Sequence, residues 1–336
     1  MTSQTTQQSG RGPITRCIVK SNEYPARPSR THLLAVHDLS KETILALFKE
    51  AAELKAMRRR ALSAQRLSGK TLGLFFEKPS TRTRVSFEAG MNQLGGQSIF
   101  LSVMDIQMRR GETVADTARV LSRYLDGLVI RCYEHHAVEE WARNATIPVI
   151  NGLTDLHHPC QVLSDLFTIR EKKRRWKGIK IAYVGDGNNV ANSLLEGAAI
   201  MGMAISVACP HGYEPDASIV DWSRERAERT GASIEIVKDP FVAVKGADVL
   251  YTDVWTSMGQ EKEQARRITV LGHYQLNGRL LAAAHPDALV MHCLPAHRGQ
   301  EITADVLDGP QSVVLDQAEN RLHVQKAILT RLLRDR

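Results

Sequence analysis

Short apolar runs alternate with amphipathic helical segments along most of this chain, and this alternation constrains the fold more than any other feature. The runs lie at 71–76, 98–101, 127–132 and 147–151, and a second series lies at 180–184, 205–208, 233–237, 249–254 and 289–293. Strands that alternate with helices form parallel sheets covered by helices on both faces. The sequence therefore predicts an α/β fold of two doubly wound domains, each a parallel sheet flanked by helices.

The length and one break in composition predict where the two domains divide. A chain of 336 residues is long for a single core. A basic run at 172–177, followed by Gly178, separates the predicted helix at 161–171 from the second series of strands. We therefore predict a polar extension at 1–31, a first domain at 32–171 and a second domain at 172–317. A last helix is predicted at 318–333, within a C-terminal segment at 318–336.

Residues 1–31 are polar, and Glu23 is their only acidic residue. An organelle transit peptide, which would direct the chain to the mitochondrial matrix, shares this scarcity of acidic residues. The amphipathic pattern is poor, however, and favours a plain cytoplasmic extension. No apolar run approaches the roughly 20 residues that a membrane span needs, so no membrane partner is predicted.

The excess of positive charge points to an anionic partner. The formal net charge is +7, but aromatic residues make up only 5% of the chain and no basic run alternates with them. Single-stranded nucleic-acid sites need that combination, so the composition favours a small anion over nucleic acid. The five cysteines include no C-x-x-C pair, which argues against a disulfide framework or a structural zinc site.

A strand, a tight turn and a helix start succeed one another at 71–84. Pro79 ends the apolar run, and Ser80 or Thr81 is a good N-cap for the helix that follows. A helix start offers unpaired N–H groups and the positive end of the helix dipole, and here it also carries Arg82 and Arg84. These features predict an oxyanion site, most naturally for phosphate. An ordinary capped helix with exposed arginines is the alternative, and Arg84 has Glu88 one turn away as a possible partner.

Other polar side chains follow the ends of predicted strands, where doubly wound sheets bind their ligands. They are Arg131, His158, the asparagines at 188–192, Asp253 and Cys293. Gly185 and Gly187 begin a dinucleotide fingerprint, but Val190 replaces its third glycine, which argues against a nicotinamide dehydrogenase. Two sheets that face each other would place these side chains around one cleft.

Local chemistry leaves several roles open. Arg131 suits a structural ion pair or a developing oxyanion, and Asp253 suits a helix cap or a substrate ammonium. Two histidine and cysteine groups resemble incomplete metal sites, and no metal is predicted at either; they are His157, His158 and Cys160, and His292, Cys293 and His297. Cys293 with a histidine also suggests a thiol hydrolase, although no base can be placed for it.

Five motifs occur in a fixed order along the chain. They are Ser-Thr-Arg-Thr-Arg at 80–84, His-Pro-Cys-Gln at 158–161, Asp-Gly-Asn-Asn at 186–189 with Asn192, Asp-Val-Trp-Thr-Ser-Met-Gly at 253–259, and His-Cys-Leu-Pro at 292–295. Together they resemble the aspartate/ornithine carbamoyltransferase family, and its ornithine-using members in particular. The similarity covers roughly residues 32–334, and the polar extension lies outside it.

The resemblance implies a reaction in which carbamoyl phosphate and L-ornithine give L-citrulline and phosphate, as in arginine biosynthesis. It implies a carbamoyl-phosphate domain, an ornithine domain and a final helix that packs back on the first domain. It also implies a homotrimer with sites at subunit interfaces and no metal or organic cofactor. Alternatives are another acceptor amine, such as putrescine, N-acetylornithine or aspartate, and a non-enzymatic anion or nucleic-acid binder.

The resemblance also implies roles for individual residues. Catalysis would fall to Arg131, His158, Asp253 and Cys293. Ornithine would contact Asn192, Asp253, Ser257 and Met258. Carbamoyl phosphate would contact Ser80, Thr81, Arg82, Thr83, Gln107, Arg131, His158, Gln161, Cys293, Leu294 and Arg321, with Gln107 reaching the site of an adjacent subunit and Arg321 at the start of the last helix.

Overall fold

The computed structural model describes residues 32–62, 64–103, 111–256 and 261–334. Within this part of the chain, strands and helices alternate through two parallel sheets. The predicted fold class is therefore confirmed.

The first domain holds a sheet with the strand order β2-β1-β3-β4 within the described residues, and every neighbouring pair is parallel. Its elements are α1 (Lys41–Arg59), β1 (Thr71–Phe76), α2 (Thr81–Gln93), β2 (Gln97–Ser102), α3 (Val114–Leu121), β3 (Gly127–Arg131), α4 (His135–Asn144), β4 (Val149–Leu153) and α5 (Pro159–Lys173).

The second domain holds a parallel sheet with the strand order β7-β6-β5-β8-β9 in the same described ranges. Its elements are β5 (Lys180–Val184), α6 (Asn189–Met201), β6 (Ala204–Ala208), α7 (Ala217–Thr230), β7 (Ser233–Val237), α8 (Pro240–Val244), β8 (Val249–Thr252), α9 (Gln264–Leu271), α10 (Gly278–Ala282), β9 (Leu289–His292) and α11 (Ala304–Leu307).

The strand order reverses between β1 and β3 in the first sheet and between β5 and β8 in the second. Ligands of doubly wound sheets bind beyond the strand ends at such reversals. Both β8 and β9 end earlier than the apolar pattern predicts, at Thr252 and His292. Asp253 and Cys293 consequently lie just beyond their strands, at the edge where a ligand would bind.

The last helix, α12 (Val314–Leu333), follows the second sheet but packs against α1, α2 and α5 of the first domain. Val324, Ala327 and Ile328 of α12 are buried in the core that these helices share. The prediction of a C-terminal helix that returns to the first domain is confirmed. The predicted start near Ala318 was four residues late, because α12 begins beside Val313 without a side-chain cap that sequence could reveal.

The predicted start of α5 at Gln161 was also late. The helix begins at Pro159, whose fixed φ and missing N–H suit the first helical position. His158 therefore occupies the N-cap position. Among the described residues, no helix is both long and apolar enough to cross a membrane.

Candidate active site

The start of α2 has the geometry of an anion site. Ser80 is the N-cap, and its hydroxyl oxygen accepts a hydrogen bond from the Thr83 N–H at 3.2 Å. The first turn of α2 contains no acidic residue. Arg84 takes the alternative role, because its Nε donates to Glu88 at 2.9 Å and its guanidinium covers the ring of Phe100.

Arg321 joins three helices beside this helix start. It lies in the second turn of α12, and its guanidinium donates to Gln161 Oε1 at 2.7 Å and to Thr83 Oγ1 at 3.1 Å. The residue is buried, and its Nε has no hydrogen-bond partner within the described ranges. Arg321 thereby holds Thr83 of α2 and Gln161 of α5 at one point.

Arg131 lies at the end of β3 and is also buried. Its Nε donates to the Lys78 carbonyl oxygen at 3.2 Å, and burial, followed by the nearby charge of Arg321, lowers its pKa to about 10. The side chain thus remains charged at neutral pH. Within the described ranges, no carboxylate forms an ion pair with Arg82, Arg131 or Arg321. Three guanidinium groups that lack carboxylate partners in the described part of the chain favour an anionic ligand over a structural ion pair.

His158 lies at the N-cap of α5 among these cations. Its backbone N–H donates to Ser193 Oγ at 2.9 Å, while its ring Nδ1 is buried and has no hydrogen-bond partner in the described part of the chain. Burial and the neighbouring arginines Arg321, Arg131 and Arg82 hold its pKa well below the usual value. The imidazole is therefore neutral, with one N–H to donate and one nitrogen lone pair.

The second domain contributes a carboxylate with two hydrogen-bond donors. Cys293 Sγ donates to Asp253 Oδ1 at 2.9 Å, and Asn188 Nδ2 donates to Asp253 Oδ2 at 2.8 Å. Burial, followed by the charge of Asp253, raises the pKa of the Cys293 thiol well above its usual range. A protonated thiol that faces a carboxylate is a poor nucleophile, which argues against the thiol-hydrolase alternative.

Arg82 and Leu294 bring the two domains into contact at this site. Arg82 donates to the Leu294 carbonyl oxygen at 2.5 Å, and Leu294 has a positive φ of 59°, which is unusual for a residue with a branched side chain. A cavity of about 340 Å³ opens beside them. Its lining includes Thr81, Arg82, Gln161, Cys293, Gln317 and Arg321.

Three of the predicted site residues, Gln107, Ser257 and Met258, lie outside the described residues. Asn192 is described, but both ends of its amide already have backbone partners. Its Nδ2 donates to the Leu156 carbonyl oxygen at 3.1 Å, and its Oδ1 accepts from the Asp216 N–H at 3.0 Å. Asn188, the N-cap of α6, is the asparagine that reaches Asp253.

Asp165 supports the site and was missed by the sequence analysis. It is fully buried on α5 and accepts hydrogen bonds from Gln161 at 2.7 Å, Gln317 at 2.8 Å and Tyr251 at 2.9 Å. Burial raises the pKa of this carboxyl to about 7. The available signal was a lone charged residue, because the stretch 159–169 of α5 is otherwise uncharged and is buried throughout.

The two histidine and cysteine groups named from sequence as possible metal sites do not bring all of their ligand atoms together within the described ranges. His292 and Cys293 are close to Asp253, with one potential ligand atom from each residue within 4.8 Å of the others. His292 already accepts from the Leu294 N–H through Nδ1 and contacts Glu301 through Nε2. The imidazole thus has structural partners on both ring nitrogens.

Known protein families match both halves of the chain. The carbamoyl-phosphate-binding domain of aspartate/ornithine carbamoyltransferase matches residues 31–171, and the Asp/Orn-binding domain of the same enzymes matches residues 177–332. The chain belongs to the aspartate/ornithine carbamoyltransferase family. The family resemblance carried by the five sequence motifs is confirmed.

Individual relatives in the family are similar over nearly their whole length. The ornithine carbamoyltransferase of Syntrophus aciditrophicus is 56% identical over 301 residues, which are 90% of this chain and 99% of that relative. The ornithine carbamoyltransferase of Bacillus subtilis is also 56% identical, over 90% of this chain and 93% of its own length. The solved ornithine carbamoyltransferase of Pyrococcus furiosus has a TM-score of 0.89 at 51% identity and covers 91% of this chain and 98% of its own.

Proposed function

We propose that this member of the carbamoyltransferase family transfers the carbamoyl group of carbamoyl phosphate to the δ-amine of L-ornithine, giving L-citrulline and phosphate. The observation that carries the proposal is the convergence of Arg82, Arg131 and Arg321, which have no carboxylate partners among the described residues, opposite the Cys293–Asp253 pair. Relatives at 56% identity are named for this activity. A related Pyrococcus furiosus enzyme is named anabolic, which supports a role in arginine biosynthesis.

Carbamoyl phosphate would bind at the start of α2. Ser80, Thr81, Arg82 and Thr83 would hold the phosphate, because the helix start offers N–H groups, hydroxyls and a positive charge together. Arg321 would approach the same phosphate or the carbonyl oxygen, since it already donates to Thr83 and Gln161.

The carbonyl oxygen gains negative charge when the amine attacks, and the buried donors Arg131 and His158 suit that change. Each preorganised donor of this kind contributes about 3 kcal/mol to transition-state stabilisation. The neutral His158 ring would donate a hydrogen bond rather than repel the neighbouring arginines. Gln161 and Leu294 would border the carbamoyl group.

Ornithine would approach from the second domain. The Asp253 carboxylate would bind the α-ammonium group of ornithine. Hydrogen bonds from Cys293 and Asn188 would hold the Asp253 side chain in place. Ser257 and Met258 are proposed to contact the amino-acid end as well. Asn192 is also proposed to contact ornithine, because its amide has a second N–H besides the one bonded to the Leu156 carbonyl oxygen.

The attacking δ-amine must lose a proton, since a free alkylamine has a pKa near ~10.4. A buried site that already holds three arginines would lower this pKa. The thiol of Cys293 is already protonated, so it cannot act as the base that accepts this proton. Asp253 and the departing phosphate are therefore the acceptors that we propose.

We also propose the division into a carbamoyl-phosphate domain at 32–171 with the C-terminal segment at 318–336, and an ornithine domain at 172–317. A cytoplasmic homotrimer is proposed, with the mitochondrial matrix as the alternative location and Gln107 reaching a neighbouring site. Val85 on α2 and Ile99 on the edge strand β2 support an interface, because they are 54% and 48% exposed.

The proposed activity is tested by measuring citrulline and phosphate release from carbamoyl phosphate with ornithine, putrescine, N-acetylornithine or aspartate. Turnover with ornithine at least 100-fold above the other amines is expected. Faster turnover with another amine would identify that amine, instead of ornithine, as the acceptor. No turnover with any amine, together with salt-dependent retention on DNA, would favour a non-enzymatic binder. Sizing of the same sample tests the trimer.

A further inference from the structure

A second group of potential metal ligands lies outside the residues assigned above. It consists of His37 in the 3₁₀ turn Val36–Asp38, His157 in the segment before α5, and Glu196 in the middle of α6. One nitrogen or oxygen atom from each residue lies within 4.8 Å of the other two. These three residues come from separate parts of the fold and meet at one point.

Glu196 is an acidic residue almost completely removed from water, with 1% of its surface exposed. Its Oε1 is 2.6 Å from His37 Nδ1, and its Oε2 accepts from the Val36 N–H at 3.2 Å. A buried carboxylate is costly unless positive charge or donors compensate it. Here the compensation comes from one half-exposed imidazole and one backbone group.

His157 supplies an independent sign of a missing partner. Its Nδ1 lies 3.5 Å from Glu196 Oε1 and has no hydrogen-bond partner among the residues that the structure describes, although only 2% of the residue is exposed. Burial, followed by the neighbouring histidines His135 and His37, lowers its pKa to about 3, so the ring is neutral. A buried ring nitrogen 3.5 Å from a carboxylate oxygen without a hydrogen bond calls for an explanation, and a bound cation provides one.

We propose that His37, His157 and Glu196 bind a divalent transition-metal ion of the zinc class. Two imidazoles and one carboxylate are a common three-residue ligand set for zinc, with water in the fourth position. Oxygen-seeking cations such as Mg²⁺ and Ca²⁺ fit this set poorly, since two of its three ligands are nitrogen.

Two of the three ligand pairs need only a small adjustment, and the third, His37 with His157, lies within 4.8 Å. Ligand atoms about 2 Å from a tetrahedral ion lie roughly 3.3 Å apart, and the pair His157–Glu196 is already at 3.5 Å. The His37–Glu196 pair at 2.6 Å must open by less than ~1 Å. The side chain of His37 is 40% exposed, which allows its ring to turn and opens a path from solvent.

Other groups around the cluster are engaged elsewhere. His135 packs its ring 4.7 Å from that of His157, but its Nδ1 is paired with Thr154 Oγ1. Asp38 Oδ2 accepts from the backbone N–H groups of Leu34 and Ala35, just before its own turn. The ligand set is therefore the three residues named, and the ion would join α6 of the second domain to the segment that carries His158.

Cobalt(II) is a suitable probe, because its visible absorption reports low-coordinate nitrogen and oxygen ligation. The Trp222 ring lies 5.4 Å from the His37 ring, so bound Co²⁺ would also quench Trp222 fluorescence. Tag-free, metal-stripped protein carrying Cys293→Ser would be titrated, since this change removes the thiol of the other group, Asp253, His292 and Cys293. One Co²⁺ per chain is expected, with quenching that is lost in the added variant Trp222→Phe.

Ligand variants in the same background test the assignment. His37→Ala and Glu196→Gln are expected to weaken Co²⁺ binding at least 10-fold, and Zn²⁺ is expected to raise the melting temperature of the parent but not of either variant. His136→Ala, which changes an exposed histidine in α4, is the matched control and should bind as the parent does.

His37 is partly exposed, so His37→Ala keeps the test decisive if Glu196→Gln fails to fold. The proposal is overturned if the Cys293→Ser parent binds no Co²⁺, or if its binding is unchanged by His37→Ala. In either case the cluster is a buried ion pair only.

Discussion

The thiol of Cys293 lies 2.9 Å from Oδ1 of Asp253 and donates a hydrogen bond to it. Hydrogen bonds to a charged group contribute about 1.5–3 kcal/mol. Cys293→Ala should therefore reduce kcat/KM for ornithine about 10-fold or more, because Asp253 loses one of the donors that hold it. Steady-state kinetics with varied ornithine measure this effect.

Cys209→Ala is the matched control, since it removes another buried thiol that follows β6 in the same domain. Its kcat/KM should stay within about 2-fold of the wild-type value, as for a change outside the site. Equal losses in the two variants would mean that the Cys293–Asp253 hydrogen bond has no specific role.

Arg321→Gln should lower kcat/KM for carbamoyl phosphate by about 100-fold or more, which is the usual cost of removing one preorganised donor. The change also releases Thr83 and Gln161, which Arg321 now holds. Arg331→Gln, on an exposed position of the same helix, is the control and should leave the kinetics unchanged. Similar carbamoyl-phosphate affinity in both variants would remove Arg321 from the anion site.

The carboxyl of Asp165 makes stability depend on pH. Its pKa is raised from 3.8 to about 7 by burial, so between these values the folded protein keeps a proton that the unfolded chain has released. The free energy of unfolding should therefore fall as pH rises through this window, by up to about 1.4 kcal/mol per pH unit, and level off above pH ~7. Denaturant titrations at several pH values measure the slope.

Asp165→Asn removes the titrating group but keeps an oxygen for Gln161 and Gln317. The variant should show a shallower fall in stability between about pH 5 and 7, whereas Asp221→Asn, an exposed change on α7, should keep the wild-type slope. An unchanged slope in Asp165→Asn would mean that Asp165 is ionised in the folded protein throughout.

Gly187→Ala should destabilise the turn that presents Asn188. A Cβ at this position would overlap backbone atoms of Glu214 and Pro215, which cannot move as freely as a side chain. A loss of about 1–3 kcal/mol in the free energy of unfolding is expected, with lower activity. Gly272→Ala is the control, because nothing lies within 4 Å of its added Cβ and its φ is not positive. Equal stability of both variants would contradict the predicted clash.

Local signals in the sequence were sufficient for the helix start at α2. Ser80 caps the helix as its residue type predicts, and the strand before it spans Thr71–Phe76 as predicted. The starts of α5 and α12 were missed by two and four residues. A proline such as Pro159 can end one element or begin a helix, so its residue type alone does not fix the start of α5. The start of α12 is determined by packing on the first domain and not by a side-chain cap.

The hydrogen bonds that hold the site residues in place join elements far apart in the sequence, so no local pattern predicts them. Asp165 draws its donors from α5, α12 and β8, so its role appears only when these elements meet. The ornithine contact of Asn192 stays a prediction, and the fold also bonds its amide to Leu156 and Asp216. Gln107, Ser257 and Met258 stay predictions.

The return of α12 to the first domain also has a consequence for synthesis on the ribosome. Leu54 of α1 and Met91 of α2 belong to the core that Val324 and Ile328 complete. This apolar surface stays uncovered until residues 314–333 emerge, after the entire second sheet has been translated. The nascent first domain must therefore wait, partly open and prone to association, for a helix encoded more than a hundred codons downstream of its last strand.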